Sequence, residues 1–77
     1  MNWMDDGRHS GLVIGVNVGR YRVKRAWSQG DLATRCGWSR AKVAKLETGG
    51  YRHVFVDDLL VLVRVVRVPA ERVLEGL

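Results

Sequence analysis

Three cations, Arg40, Lys42 and Lys45, fall within six residues and are separated mainly by the short side chains Ala41 and Ala44. Arginine presents a planar fork that bonds two acceptors at once, and lysine presents a compact mobile charge. Together they suit the recognition of a polyanion whose surface carries paired acceptors. Tyr51-Arg52-His53 adds a second basic, aromatic group a few residues downstream.

The residue types that perform covalent chemistry are poorly arranged. Cys36 is a single thiol on the inward side of its segment, where cysteine behaves as a small hydrophobe. His9 and His53 lack partners at metal-ligand spacing, and no paired-cysteine motif exists. Ser28 lies in Ala26-Trp27-Ser28-Gln29-Gly30, which lacks the first glycine of a nucleophile elbow. No glycine-rich phosphate loop is present. The expectation is a non-enzymatic chain that needs no metal and no cofactor.

The elements that position the cations are legible in Trp27 to Gly49. Ser28 caps one short helix, with Gln29 at its first position and Asp31 in the opening turn, where an acid suits the positive helix end. Ser39 caps a second helix, Arg40 to Thr48, in the same way. Between them Gly37 supplies the left-handed conformation that ends one helix and admits the next. Two helices joined by so short a glycine-containing turn make a helix-turn-helix. Leu32, Ala33 and Cys36 face inward from the first, and Val43 and Leu46 from the second. Arg40, Ala41, Lys42, Ala44 and Lys45 are left to project from a narrow helix suited to lie in a groove.

The flanking segments are more ambiguous. Residues 1–10 have no periodicity and are expected to form a flexible tail, with Trp3 docking on the body. Ser10 is expected to cap a helix starting near Gly11. Valine content favours a strand over Gly11 to Ala26 and three glycines disfavour a helix, whereas helical spacing places Ile14, Val18, Tyr21 and Arg25 on one stripe with Arg22 beside it. Gly11, Gly15 and Gly19 recur every fourth residue and are read as allowing close packing. Gly49-Gly50 ends the Arg40 helix. Val56 to Val66 reads as a fourth helix, with Asp57 and Asp58 at its start and Arg64 and Arg67 at its end. Its valine-rich rival is a strand or hairpin over Val54 to Val68. Pro69 suits the start of a fifth short helix, Ala70 to Glu75.

At 77 residues the chain is one domain, residues 11–77 beyond the tail, and 47% apolar content suffices for a core. The +5 net charge fits nucleic acid, an anionic surface or an acidic partner. No signal peptide is evident, and the longest uncharged apolar run, Gly11 to Gly19, is about half what a bilayer span needs, so no membrane role is expected.

Ile14 to Glu47 resembles the helix-turn-helix domain of the lambdoid phage repressors, Cro and the Xre-type bacterial regulators. The matching positions are Ile14, Gly15, Val18, Tyr21, Arg22, Arg25, Ser28, Gln29, Leu32, Ala33, Gly37, Ser39, Val43, Leu46, Glu47 and Gly49, in one ungapped register. A looser match runs on to Leu74. The resemblance implies an all-α, five-helix lambda-repressor-like fold, and it selects helix for Gly11 to Ala26. It also implies a cytoplasmic, bacterial or phage-encoded regulator that binds double-stranded DNA. The chain departs from the family at Phe55, where a serine or threonine cap is usual, and at Arg67, where glycine often ends the helix. Trp38 replaces a small or β-branched residue and is expected to pack beneath the turn, while Trp27 replaces a core leucine.

On this reading Arg40 leads the base contacts, bidentate to guanine O6 and N7, with Ala41, Ala44 and Lys45 beside it. Gln29, by resemblance, meets a phosphate at the helix N-terminus, and Ser39, Lys42, Arg52 and His53 hold the DNA backbone. Arg22 and Glu47, again by resemblance, form a structural ion pair. A homodimer is expected because one helix reads few base pairs, with Val61, Val65, Val68 and Leu77 as its face. Two rival functions stand beside this one. One is a helix-turn-helix acting mainly by protein contact through Val54 to Val68, as an antitoxin or a polymerase-binding regulator does. The other is a non-specific binder of nucleic acid or anionic surfaces.

Overall fold

The computed structural model describes residues 9–77, so the expected docking of Trp3 lies outside the described residues. Five helices follow in order: α1 Ser10–Lys24, α2 Gln29–Cys36, α3 Arg40–Glu47, α4 Val56–Val66 and α5 Ala70–Val73, with no strand among the described residues. The strand readings of Gly11 to Ala26 and of Val54 to Val68 are therefore set aside. In both segments burial on one helical stripe outweighs the β preference of valine. Ile14 and Val18 of α1 and Leu62 and Val66 of α4 enter the same core as Leu32, Ala33, Val43, Leu46 and Val73.

Two of the three spaced glycines allow α1 its close approach to α3 and to the loop that follows α3. A methyl group at Gly15 would overlap the Leu46 carbonyl oxygen, and one at Gly11 would overlap that of Tyr51. Both obstacles are backbone and cannot swing aside. The start of α1 differs from expectation: His9, not Ser10, is the cap, its Nδ1 accepting the Leu12 N–H at 3.1 Å. Ser10 lies one residue further in, and its hydroxyl donates to the Arg52 carbonyl at 3.3 Å. That carbonyl also accepts the Gly11 N–H at 3.0 Å, so the loop after α3 sits on the start of α1 and satisfies an otherwise orphaned donor.

The far end of the chain is held by one buried amide. Asn17 Nδ2 donates to the carbonyls of Val73 at 2.7 Å and Glu75 at 2.8 Å. These bonds fix α5 against α1 in a form shorter than the expected Ala70 to Glu75, with Pro69 as the cap. The two departures around α4 show directly in its ends. Phe55 provides no side-chain cap, and Arg67 closes the helix in the left-handed region at φ 58° without a glycine.

Candidate nucleic-acid interface

Both helices of the central pair are capped as their serines imply. Ser28 Oγ accepts the Asp31 N–H at 2.9 Å, while the Asp31 carboxylate accepts the Ser28 N–H at 2.8 Å, a reciprocal capping box. These bonds hold the Asp31 carboxyl below its usual range. Gly37 adopts φ 73°, and the Trp38 N–H returns to the Ala33 carbonyl at 2.9 Å, which closes α2 and turns the chain. Ser39 Oγ then accepts the Lys42 N–H at 3.1 Å to start α3.

α3 buries only Val43 and Leu46; Arg40, Ala41 and Lys45 are exposed and Ala44 is half-buried. Arg40 takes part in no ion pair among the described residues. Lys45 Nζ lies 4.6 Å from the Tyr51 ring centroid, an attraction that steadies its stem along the surface. Arg52 and His53 are exposed in the adjoining loop, and the Arg52 backbone is fixed by α1.

Two expected phosphate contacts carry additional duties. Gln29 Nε2 donates to Glu47 Oε1 at 3.2 Å, leaving its second amide hydrogen and the backbone N–H groups of Gln29 and Gly30 for an anion. Lys42 Nζ pairs with Asp58 at 3.0 Å and lies 4.2 Å from the Trp38 ring centroid. It ties α3 to α4 and projects less than Arg40 does. The Lys42–Asp58 pair was not anticipated, because residues sixteen apart reveal nothing of it until α4 is placed. Ser39 has spent an acceptor lone pair on its cap but keeps its hydroxyl hydrogen as a donor.

The frame behind these groups is the Arg22–Glu47 pair. Arg22 Nε meets Glu47 Oε2 at 2.7 Å and Nη2 meets Oε1 at 2.9 Å, while Nη1 donates to the Trp27 carbonyl at 2.7 Å. The Glu47 carboxylate raises the Arg22 pKa, chiefly by hydrogen bonding. This pair joins α1 to the end of α3 and reaches α2 through Gln29. Trp38 packs against the core beneath the turn, and Trp27, expected as core, is half-buried at its edge with Arg35 4.3 Å from its ring centroid.

The model of the helix-turn-helix domain matches residues 13–75, which is most of the chain. The chain belongs to the helix-turn-helix domain family. No curated protein matches it. A solved structure described as a hypothetical transcription factor, NHTF, from Neisseria is similar at 26% identity with a TM-score of 0.77. The match covers 84% of this helix-turn-helix chain and 74% of that one. Among the described residues no helix is long and apolar enough to cross a membrane, and no cluster of three metal-binding side chains occurs. The family and the structural likeness make this helix-turn-helix protein a DNA-binding regulator in the general sense.

Proposed function

We propose that the protein is a sequence-specific regulator of transcription that sets α3 in the major groove of double-stranded DNA. The observation that carries this is the outer face of α3, where Arg40, Ala41 and Lys45 stand exposed over a backbone fixed to α1, α2 and α4. Arg40 reads guanine, and Ala41 and Ala44 allow close approach and touch thymine methyls, with Lys45 beside them. Gln29, Ser39, Arg52 and His53 hold phosphates, with Lys42 as a weaker contributor. The protein acts as a homodimer on two half-sites one helical turn apart, in the cytoplasm of a bacterial cell or of a phage host.

Val65 and Val68 pack partly on the chain's own core, whereas Phe55, Val56, Leu60 and Leu77 are exposed. Phe55 keeps 81% of its surface accessible. The exposed Phe55, Val56 and Leu60 support a second reading, in which α4 and the loop before it grip another protein. The test is selection of bound sequences from a random DNA pool, followed by competition with the Arg40→Ala variant. Base-specific readout requires enrichment of one motif and a loss confined to one base position; no enrichment, or equal loss on all sequences, sinks it.

A further inference from the structure

A second cationic surface lies away from α3. Arg25, Trp27, Arg35, Arg64, Val65 and Arg67 line a concavity of about 620 Å³ between the end of α1, one side of α2 and the end of α4. No α3 residue lines it. Four guanidinium groups therefore share one groove, and none of them belongs to an ion pair among the described residues. We propose that this groove docks an acidic segment of a partner protein, one that presents carboxylates around an apolar side chain.

The groove is held in shape before any partner arrives. Arg25 donates to the carbonyls of Tyr21, at 3.1 Å, and Val66, which tethers α1 to the end of α4. Arg35 stacks 4.3 Å from the Trp27 ring centroid, and Arg25 lies 5.8 Å from it. Stacked guanidiniums keep their outward N–H groups in a fixed fork, which matches a carboxylate bidentately and loses little side-chain freedom on binding. Trp27 and Val65 supply an apolar floor, and buried tryptophan and arginine are the side chains that most often dominate protein interfaces.

The same stacking argues against a single nucleic-acid strand as the occupant. Strand-binding grooves offer open aromatic faces to successive bases, whereas arginine already lies against the Trp27 ring. The duplex contacts proposed above, on α3 and at Gln29, Ser39, Arg52 and His53, include none of the residues that line this groove.

The experiment compares two variants with equal loss of charge, Arg35→Gln/Arg64→Gln/Arg67→Gln in the groove and Arg40→Gln/Lys45→Gln/Arg52→Gln on the α3 face. The probe is a fluorescein-labelled peptide of alternating glutamate and leucine, with labelled oligothymidine as the rival ligand. The groove variant is expected to lose at least tenfold in peptide affinity and the α3 variant less than threefold. Equal losses overturn the proposal, since they report bulk attraction alone. Tighter binding of oligothymidine than of peptide, lost in the groove variant, also overturns it in favour of nucleic acid. The wild-type chain gives a readout that needs no variant: added peptide should move the Trp27 indole N–H resonance, and an unmoved signal at saturation contradicts the proposal. None of these measurements involves duplex DNA, so they stand or fall separately from the proposed major-groove reading.

Discussion

At the scale of single residues, the outer side chains of α3 and the thiol on α2 make opposite predictions about reactivity and recognition. Arg40→Ala should cost about 1–3 kcal/mol at one base position of the selected sequence and much less elsewhere, read by competition binding. Cys36 is half-buried, and desolvation, reinforced by Asp58 and opposed by Lys42, pushes its pKa up to about 11. At pH 8 its thiolate is scarce, so iodoacetamide should modify the folded chain at least about tenfold more slowly than a free cysteine, whose pKa is about 8.5. Alkylation at the free-cysteine rate would show that the site opens readily. Glu47 should matter for stability as well as for the shape of the site. Its removal leaves Arg22 charged and half-buried, and Glu47→Ala should cost roughly 3 kcal/mol in urea unfolding, the lower end for a broken buried pair because both side chains keep some solvent contact.

At the scale of elements, caps and close approaches decide how the helices meet. Gly15→Ala should destabilise the fold by about 2–3 kcal/mol or more, because the added methyl meets the Leu46 carbonyl and α1 must move off α3. Gly19→Ala should be milder, since its nearest neighbour is the Glu47 carboxylate, 3.2 Å away, a side chain that has to give by only a few tenths of an ångström. Urea midpoints of the two variants check the contrast. The α2 capping box carries a pH signature. The Asp31 carboxyl is lowered from 3.8 in the folded chain, first by the Ser28 backbone N–H and then by the Ser28 hydroxyl. A depressed folded value gives stability that is present above the unfolded pKa and lost as pH falls through the folded one. The stability gap between wild type and Asp31→Ala should therefore shrink below about pH 4; a gap independent of pH would contradict the assignment.

At the scale of the whole molecule, two groups of cations stand apart. Arg40, Lys45 and Arg52 belong to the α3 side, while Arg35, Arg64 and Arg67 crowd a groove that no α3 residue lines. If α3 seats on duplex DNA, affinity should fall steeply with salt, the logarithm dropping by about 0.9 per neutralised phosphate for each decade of salt. Sedimentation equilibrium with DNA carrying two half-sites should give two chains per duplex; one chain per site pair would remove the dimer from the proposal.

Local signals decided most of what the chain revealed before its structure. Ser28, Gly37 and Ser39 bound α2 and α3 because a cap and a left-handed turn are settled by a residue and its near neighbours, and Val43 with Leu46 named the buried edge of α3 for the same reason. His9 displaced Ser10 as the cap of α1 because the Arg52 carbonyl, some forty residues away, occupies that helix start. Lys42 turned toward Asp58, Gln29 toward Glu47, and Asn17 onto the carbonyls of Val73 and Glu75, none of which periodicity can announce. The arginine groove likewise exists only because the ends of α1 and α4 converge on the side of α2. Short-range geometry is written in adjacent residues and so was readable from them. Which distant charge or carbonyl a side chain meets depends on how the helices pack around one core, and that was decided only when the chain closed on itself.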